Sequence, residues 1–192
     1  MPRIVDHDAY REELLQQAFA LFARQGYGAV SMRQIAEALG VSTGTLYHYF
    51  PSKRALFEQA VAKVVDRDLA AWEKTVNPQA SLDDKLREWF DMIVQQRAEL
   101  TSAIMLTIDY YRQGQSSTDG TGVLALLESY VDTVAALLDL PRTVCIVMLT
   151  AVDGLLLWHY PLVDTSALAS SLDQLRIMIV SYARAADRST DE

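Results

Sequence analysis

Residues 26–57 read GYGAVSMRQIAEALGVSTGTLYHYFPSKRALF. Gly26 supplies a left-handed stop to whatever helix precedes it. Ser31 is placed to cap a short helix over about 32–39, which Gly40 ends, and Ser42 to cap a second over about 43–50, which Pro51 ends. Ile35, Ala36, Leu39, Gly40, Val41 and Leu46 have the spacing of two short helices crossing at a tight turn. Ala36 is small enough for a close crossing, Gly40 makes the turn, and Val41 and Leu46 plug both helices onto the one before. The outer face of the second helix then holds Thr43, Gly44, Thr45, Tyr47 and His48. These are short polar groups, a glycine that lets a backbone come close, and hydroxyl and imidazole groups suited to phosphate oxygens and base edges. The pattern is a helix-turn-helix, and the partner it implies is double-stranded DNA.

Outward from this stretch, helical periodicity dominates and strand alternation is nearly absent. Leu15, Ala18, Phe19 and Phe22 mark a first helix over about 8–25. A long helix with Phe57, Val61, Val64 and Trp72 runs over about 53–76, until Asn77-Pro78 breaks it. Ser81 and Asp84 form an acidic capping box for a helix striped by Leu82, Leu86, Trp89, Phe90 and Ile93. A further helix, set off by a kink near Leu100, carries Ile104, Leu106, Ile108 and Tyr111. Residues 114–122 (GQSSTDGTG) read as a flexible loop. Val123, Leu127, Tyr130, Val134 and Leu137 stripe the next helix, an apolar helix covers about 142–160, and after Pro161 a last one covers about 165–186. The fold class is all-α, a three-helix head (1–52) followed by a larger helical bundle (53–192), with about nine helices in total.

Charge divides the same way. The net charge of −8 splits into +1 over residues 1–55 and −9 over the remaining 137, as expected of a chain that touches DNA with one end only. A lone cysteine, Cys145, sits in an apolar run and reads as a buried, inert thiol. The start of the chain has no apolar segment of a secretory signal, which points to a cytoplasmic location. Residues 144–163 are apolar over a membrane-spanning length, but Asp153 near the middle costs about 2.5–3.5 kcal/mol on insertion. A helix of a soluble core accounts for them better.

No Gly-rich phosphate loop, metal-spaced cluster or nucleophile elbow is present, so neither a cofactor nor a metal is expected and the chain does not read as an enzyme. His7, His48 and His159 are scattered in sequence; their adjacency in space would be needed to revive a helical enzyme, the lesser alternative.

The run 26–57 resembles the DNA-binding signature of the tetracycline-repressor (TetR) family: the G-Y start, S-x-R-x-I-A, L-G-V-S, G-T-L-Y-x-Y-F and S-K fall in order. The resemblance implies a transcriptional regulator, more specifically a repressor, that binds a palindromic operator as a homodimer. By it, Arg33 reaches a base edge or phosphate, Thr43, Thr45 and His48 face the groove beside Gly44, and Tyr47 and Tyr49 hold phosphates. Ser31 caps and touches the DNA backbone, and Lys53 adds a phosphate contact. Pro51 stands where a polar residue is also common, which removes one such contact.

Two tasks are left for the bundle. For dimerisation, the seam expected from the last two helices comprises Val147, Gly154, Leu155, Leu168, Leu172, Leu175, Ile179 and Tyr182, which the resemblance places in a four-helix interface. For sensing, which rests on the resemblance, Trp89, Phe90, Ile104, Ile108, Tyr111, Tyr130 and Trp158 are candidates to line an apolar pocket. Its effector would be small and apolar or aromatic, with cationic character suited to the acidic surroundings. A regulator without any effector is the alternative. Asp109, Asp153 and His159 interrupt apolar stretches and fit pocket, interface or core alike; an Asp153–Arg176 pair is the structural option for one of them.

Overall fold

The computed structural model describes residues 6–114, 122–161 and 165–190, the last four by backbone alone. They form α1 (His7–Gln25), α2 (Met32–Ala38), α3 (Thr43–Tyr49), α4 (Lys53–Thr75), α5 (Leu82–Arg112), α6 (Val123–Leu138), α7 (Arg142–His159) and α8 (Ser166–Thr190), with no strand among the described residues. Apart from its two end glycines, the loop expected at 114–122 lies outside them. The count is eight because the helix division expected near Leu100 does not occur. No Gly or Pro interrupts residues 82–112, and the Thr101 and Ser102 hydroxyls bond back to the carbonyls of Arg97 and Ala98, at 2.7 and 2.8 Å. Such back-bonding leaves the backbone ladder in place.

Packing groups the chain into two compact units, one from residues 1–68 and 105–126, the other from 69–104 and 127–192. The first therefore holds more than the three-helix head: most of α4 and the end of α5 pack with it. The reason is an aromatic cluster. The Phe57 and Tyr110 rings stack at 4.9 Å, Tyr27 meets both edge-on at 4.8 and 5.1 Å, and Phe22 meets Phe57 edge-on at 5.3 Å. Each pair is worth about 0.5–1.5 kcal/mol beyond its buried area.

Polar groups tie the cluster down. Tyr110 donates its hydroxyl to Glu58 Oε1 at 2.6 Å, and Arg54 Nε donates to the same oxygen at 2.8 Å. Burial, then the Glu58 carboxylate, pushes the Tyr110 phenol far above its usual range, so it stays protonated. Asp109 Oδ2 accepts from the Gly28 backbone N–H at 3.1 Å, across the turn that joins α1 to α2. That turn opens at Gly26 with φ of 86°, a conformation that favours glycine. Lys53 Nζ donates to the carbonyls of Tyr27 and Val30, 2.9 Å each, and lies 4.2 Å from the centre of the Tyr27 ring. Burial lowers the Lys53 pKa, and the Asp109 charge opposes the shift.

In the second unit the Trp72 and Trp89 indoles stack at 5.3 Å within a core that includes Leu86, Val134, Cys145, Met148, Leu168 and Leu172. Cys145 is buried and desolvation raises its pKa, in keeping with an inert thiol. Arg176 pairs with Asp83 and Asp173, so the expected Asp153–Arg176 pair is not formed. α7 has the length and apolarity of a membrane-crossing helix, but Cys145, Met148, Val152 and Leu156 along one side of it belong to this core.

Two substitutions test the first unit. Tyr110→Phe keeps the ring stack and deletes the bond to a carboxylate, and should cost about 1.5–3 kcal/mol, read as a lower urea midpoint with unchanged slope. Lys53→Met keeps the stem and strands two carbonyls, and should lower the thermal midpoint. Unchanged stability with a salt slope of DNA binding reduced by about one unit is instead the signature of a phosphate contact.

Candidate nucleic-acid interface

The α2–α3 pair is built from local rules. Ser31 and Gln34 close a capping box at the start of α2: Gln34 N donates to Ser31 Oγ at 3.4 Å, and Ser31 N donates to Gln34 Oε1 at 2.9 Å. At its end Gly40 adopts φ of 70°; Gly40 N bonds to Glu37 O at 3.2 Å and Val41 N to Ala36 O at 3.0 Å. These two bonds are a Schellman motif, which turns the chain at once into α3. Ser42 caps α3 by accepting from Thr45 N at 2.9 Å, and its hydroxyl shares a 2.8 Å bond with that of Thr45. Met32, Ile35, Ala36, Leu46 and Phe50 are buried beneath the pair, so its other side is left to solvent.

On that side stand Arg33, Gly44, Tyr47 and His48, all exposed, with Thr43 and Thr45 partly so; Tyr47 has half its surface free. Donors and acceptors thus gather on one outward surface carried by two short, capped helices, an arrangement suited to phosphates and base edges.

Two residues of the expected set are engaged elsewhere. Lys53 is held by two carbonyls below the turn, which leaves one of its three ammonium protons for the expected phosphate contact. Tyr49 shares its hydroxyl with His7 Nδ1 at 2.8 Å and packs edge-on against Tyr10. A hydroxyl has one proton, so Tyr49 can donate to a phosphate only while His7 is the donor of that pair. The role of His7 was not legible from its position 42 residues away.

The seven candidates for an effector pocket do not line one together, and among the crevices described below Phe90 alone of them borders one. Trp89 and Phe90 are core, Ile104 and Tyr130 pack against that core, and Trp158 lies 78 % exposed on the outside of α7. Ile108 and Tyr111 are exposed and belong to the other unit. Aromatic residues at helical spacing filled the core here. Crevices lie instead at other places in the second unit. One, of about 150 Å³, is lined by Arg97, Ala98, Thr101, Leu156, His159, Tyr160, Thr165 and Leu168. A second, of about 210 Å³, lies between Arg87, Phe90, Asp91 and Val94 of α5 and Ala169, Leu172, Asp173 and Arg176 of α8. Arginine in both walls argues against a cationic occupant.

The expected dimer seam is likewise divided. Val147 (69 % exposed) and Gly154 face outward, and a side chain at Gly154 would meet nothing within 4 Å. Leu168, Leu172 and Ile179 turn inward to the core and Leu155 and Leu175 pack against it, a correction that follows from the helix period. The outward positions of α8 are Ile177, Met178 (67 % exposed) and Tyr182, and those of α7 include Ile146, Leu157 and Trp158. Of the three undecided residues, Asp109 is the acceptor for Gly28. His159 is partly buried, with Nε2 3.3 Å from Ser171 Oγ and an enclosed Nδ1 that has no partner. Asp153 is exposed on the outer side of α7, yet desolvation among its apolar neighbours pushes its pKa up to about 6.

Residues 14–60 match the bacterial regulatory proteins of the tetR family. The HTH-type transcriptional repressor KstR2 of Mycobacterium tuberculosis is 32 % identical over 96 residues, 47 % of each chain. Its namesake in Mycolicibacterium smegmatis is 34 % identical over 80 residues, 42 % of this chain and 39 % of that one. The matched stretch therefore spans less than half the length of these relatives. A tetR-family regulator from Streptomyces coelicolor shares the fold with a TM-score of 0.73 at 21 % identity, over 95 % of this chain and 85 % of that one. A transcriptional regulator from Pseudomonas aeruginosa does so with 0.72 at 17 %, over 97 % and 96 %. Residues 14–60, which hold the α2–α3 pair and its supports, thus match the tetR family of bacterial regulatory proteins, and the chain as a whole shares the all-helical fold of a solved regulator of that family.

Proposed function

We propose that this chain is a cytoplasmic transcriptional repressor that binds a palindromic operator as a homodimer and is released by a small effector. The observation that carries the reading is the exposed polar surface of α2 and α3, held by a capping box, a Schellman turn and a serine cap. Residues 1–52 are the reading head and the rest serves assembly and sensing. The names of the KstR2 relatives, which are transcriptional repressors, support the same class. Arg33, Thr43, Gly44, Thr45, Tyr47 and His48 form the reading surface, Ser31 sets its entry, and Tyr49 contributes when His7 leaves its proton free.

A second copy is the occupant proposed for the outward face of α7 and α8. Val147, Trp158, Met178 and Tyr182 are among the most exposed large apolar residues of the chain, and the unfilled space over Gly154 permits a close helix approach. A two-fold dimer doubles a short half-site into a palindrome whose halves lie about 34 Å apart. An effector that favours another spacing of the heads releases the operator by population shift; a thousandfold release needs about 4 kcal/mol of differential binding.

Selection of random duplex DNA by the purified protein should enrich a palindrome, with Arg33→Ala and His48→Ala changing the preferred bases while Glu73→Ala does not. Recovery of an unbiased pool at low salt from folded protein would refute the reading. For the interface, Val147→Glu or Met178→Glu should convert the dimer to monomer in sedimentation. Because the folded state raises the Asp153 pKa from 3.8 to about 6, its ionised form is disfavoured, and stability from this group is lost as pH climbs between those values. Asp153→Asn should therefore raise the thermal midpoint at pH 7.5 and leave it little changed at pH 4.

A further inference from the structure

We propose that the crevice beside the α7–α8 junction is a binding site for a small organic carboxylate of about the size of benzoate, gripped by Arg97 and His159. The inference rests on the second unit serving as the sensing unit and names the chemistry of its ligand. The second unit carries fifteen Asp and Glu against eight Lys and Arg, a net charge of −7. In such surroundings an arginine ordinarily finds a carboxylate: Arg87, Arg142 and Arg176 each hold two. Arg97 holds none among the described residues. Its single bond is a long one, 3.5 Å, to Val94 O on its own helix, and no Asp or Glu stands among the described residues lining the crevice. A guanidinium with its fork unengaged at the wall of a cavity is the group best matched to a planar carboxylate.

His159 points to the same ligand. Ser171 Oγ gives its proton to Ala167 O at 3.0 Å, so toward His159 Nε2 it is the acceptor. The ring proton is thereby assigned to Nε2, and Nδ1, enclosed and without a partner, is the nitrogen left over. A carboxyl group brought to Nδ1 shares one proton with it, carried in by the acid or taken from solvent, and satisfies both atoms. Tyr160 and Thr165 add hydroxyls, while Leu156, Leu168 and Ala98 supply an apolar wall for the body of the ligand. Thr101 lines the crevice but has committed its hydroxyl proton to Arg97 O. A volume of about 150 Å³ is that of a cavity that holds one benzene, which limits the ligand to a single ring or a short branched chain.

The test is a calorimetric and thermal-shift titration of the full chain with benzoate, phenylacetate and isovalerate, against benzyl alcohol and benzylamine as the neutral and cationic counterparts. At least one of the acids should bind at least about tenfold tighter than both counterparts and raise the thermal midpoint. Arg97→Gln should lose that preference, Arg97→Lys should recover part of it, and His159→Gln should weaken binding further than the unrelated Arg87→Gln, which leaves it unchanged. Circular dichroism and a cooperative melt establish that each variant is folded. Failure of all three acids to bind, or undiminished binding by folded Arg97→Gln, overturns the site. DNA selection on the same preparation separates the two readings: acid binding without palindrome enrichment upholds the site and sinks the repressor, and the reverse sinks the site alone.

Discussion

Asp109 and Tyr110, neighbours near the end of α5, hold the helix-turn-helix head from two sides. One accepts the backbone N–H of Gly28 in the α1–α2 turn; the other lays its ring on Phe57 and its hydroxyl on Glu58 of α4. The turn needs this support because its own sequence offers little. It opens on a glycine in the left-handed region, and the carbonyls of Tyr27 and Val30 are satisfied only by the Lys53 ammonium reaching across from α4. The placement of α2, and through the Gly40 turn that of α3, follows from how this loop is pinned. Losing the pin removes a hydrogen bond to a charged carboxylate, which is stronger than one between neutral groups.

Local signals were the legible part of the sequence. Ser31, Gly40, Ser42 and Pro51 announce the ends of α2 and α3 because caps and left-handed turns depend on the residue itself and on partners within four positions. The burial of Ile35, Ala36 and Leu46 follows from the same spacing. Less legible was anything that depends on partners far along the chain. Lys53 sits 26 residues from Tyr27 and Tyr49 sits 42 from His7, so their side chains read as phosphate ligands until the fold supplies closer partners. Asp109 was undecidable for the same reason: its partner lies 81 residues away.

Aromatic stripes misled in a different way. A stripe at helical spacing shows that one side of a helix is covered, without showing by what. Trp89 and Phe90 are covered by their own core, while Trp158 is left mostly exposed. On α8 the leucines at 168, 172 and 175 looked like the seam because they recur at helical spacing with Ile179 and Tyr182. Of these Tyr182 is outward, together with Ile177 and Met178, which fall outside that stripe. The helix division expected near Leu100 failed because residues 82–112 contain neither Gly nor Pro, and hydroxyl residues alone do not break a ladder.

The capped architecture of α2 and α3 separates two sets of side chains that many proteins must optimise together. Ser31, Gln34, Ser42, Met32, Ile35, Ala36, Leu46 and Phe50 build the pair, while Arg33, Gly44, Tyr47 and His48 project away from it and hold none of its caps. Substitutions on an exposed surface of this kind usually change folding stability by no more than about 0.5 kcal/mol. An operator read by this surface, as proposed above, would therefore be free to drift by single replacements, each folding as well as its parent. A gene duplicate needs no compensating changes elsewhere to acquire a new target.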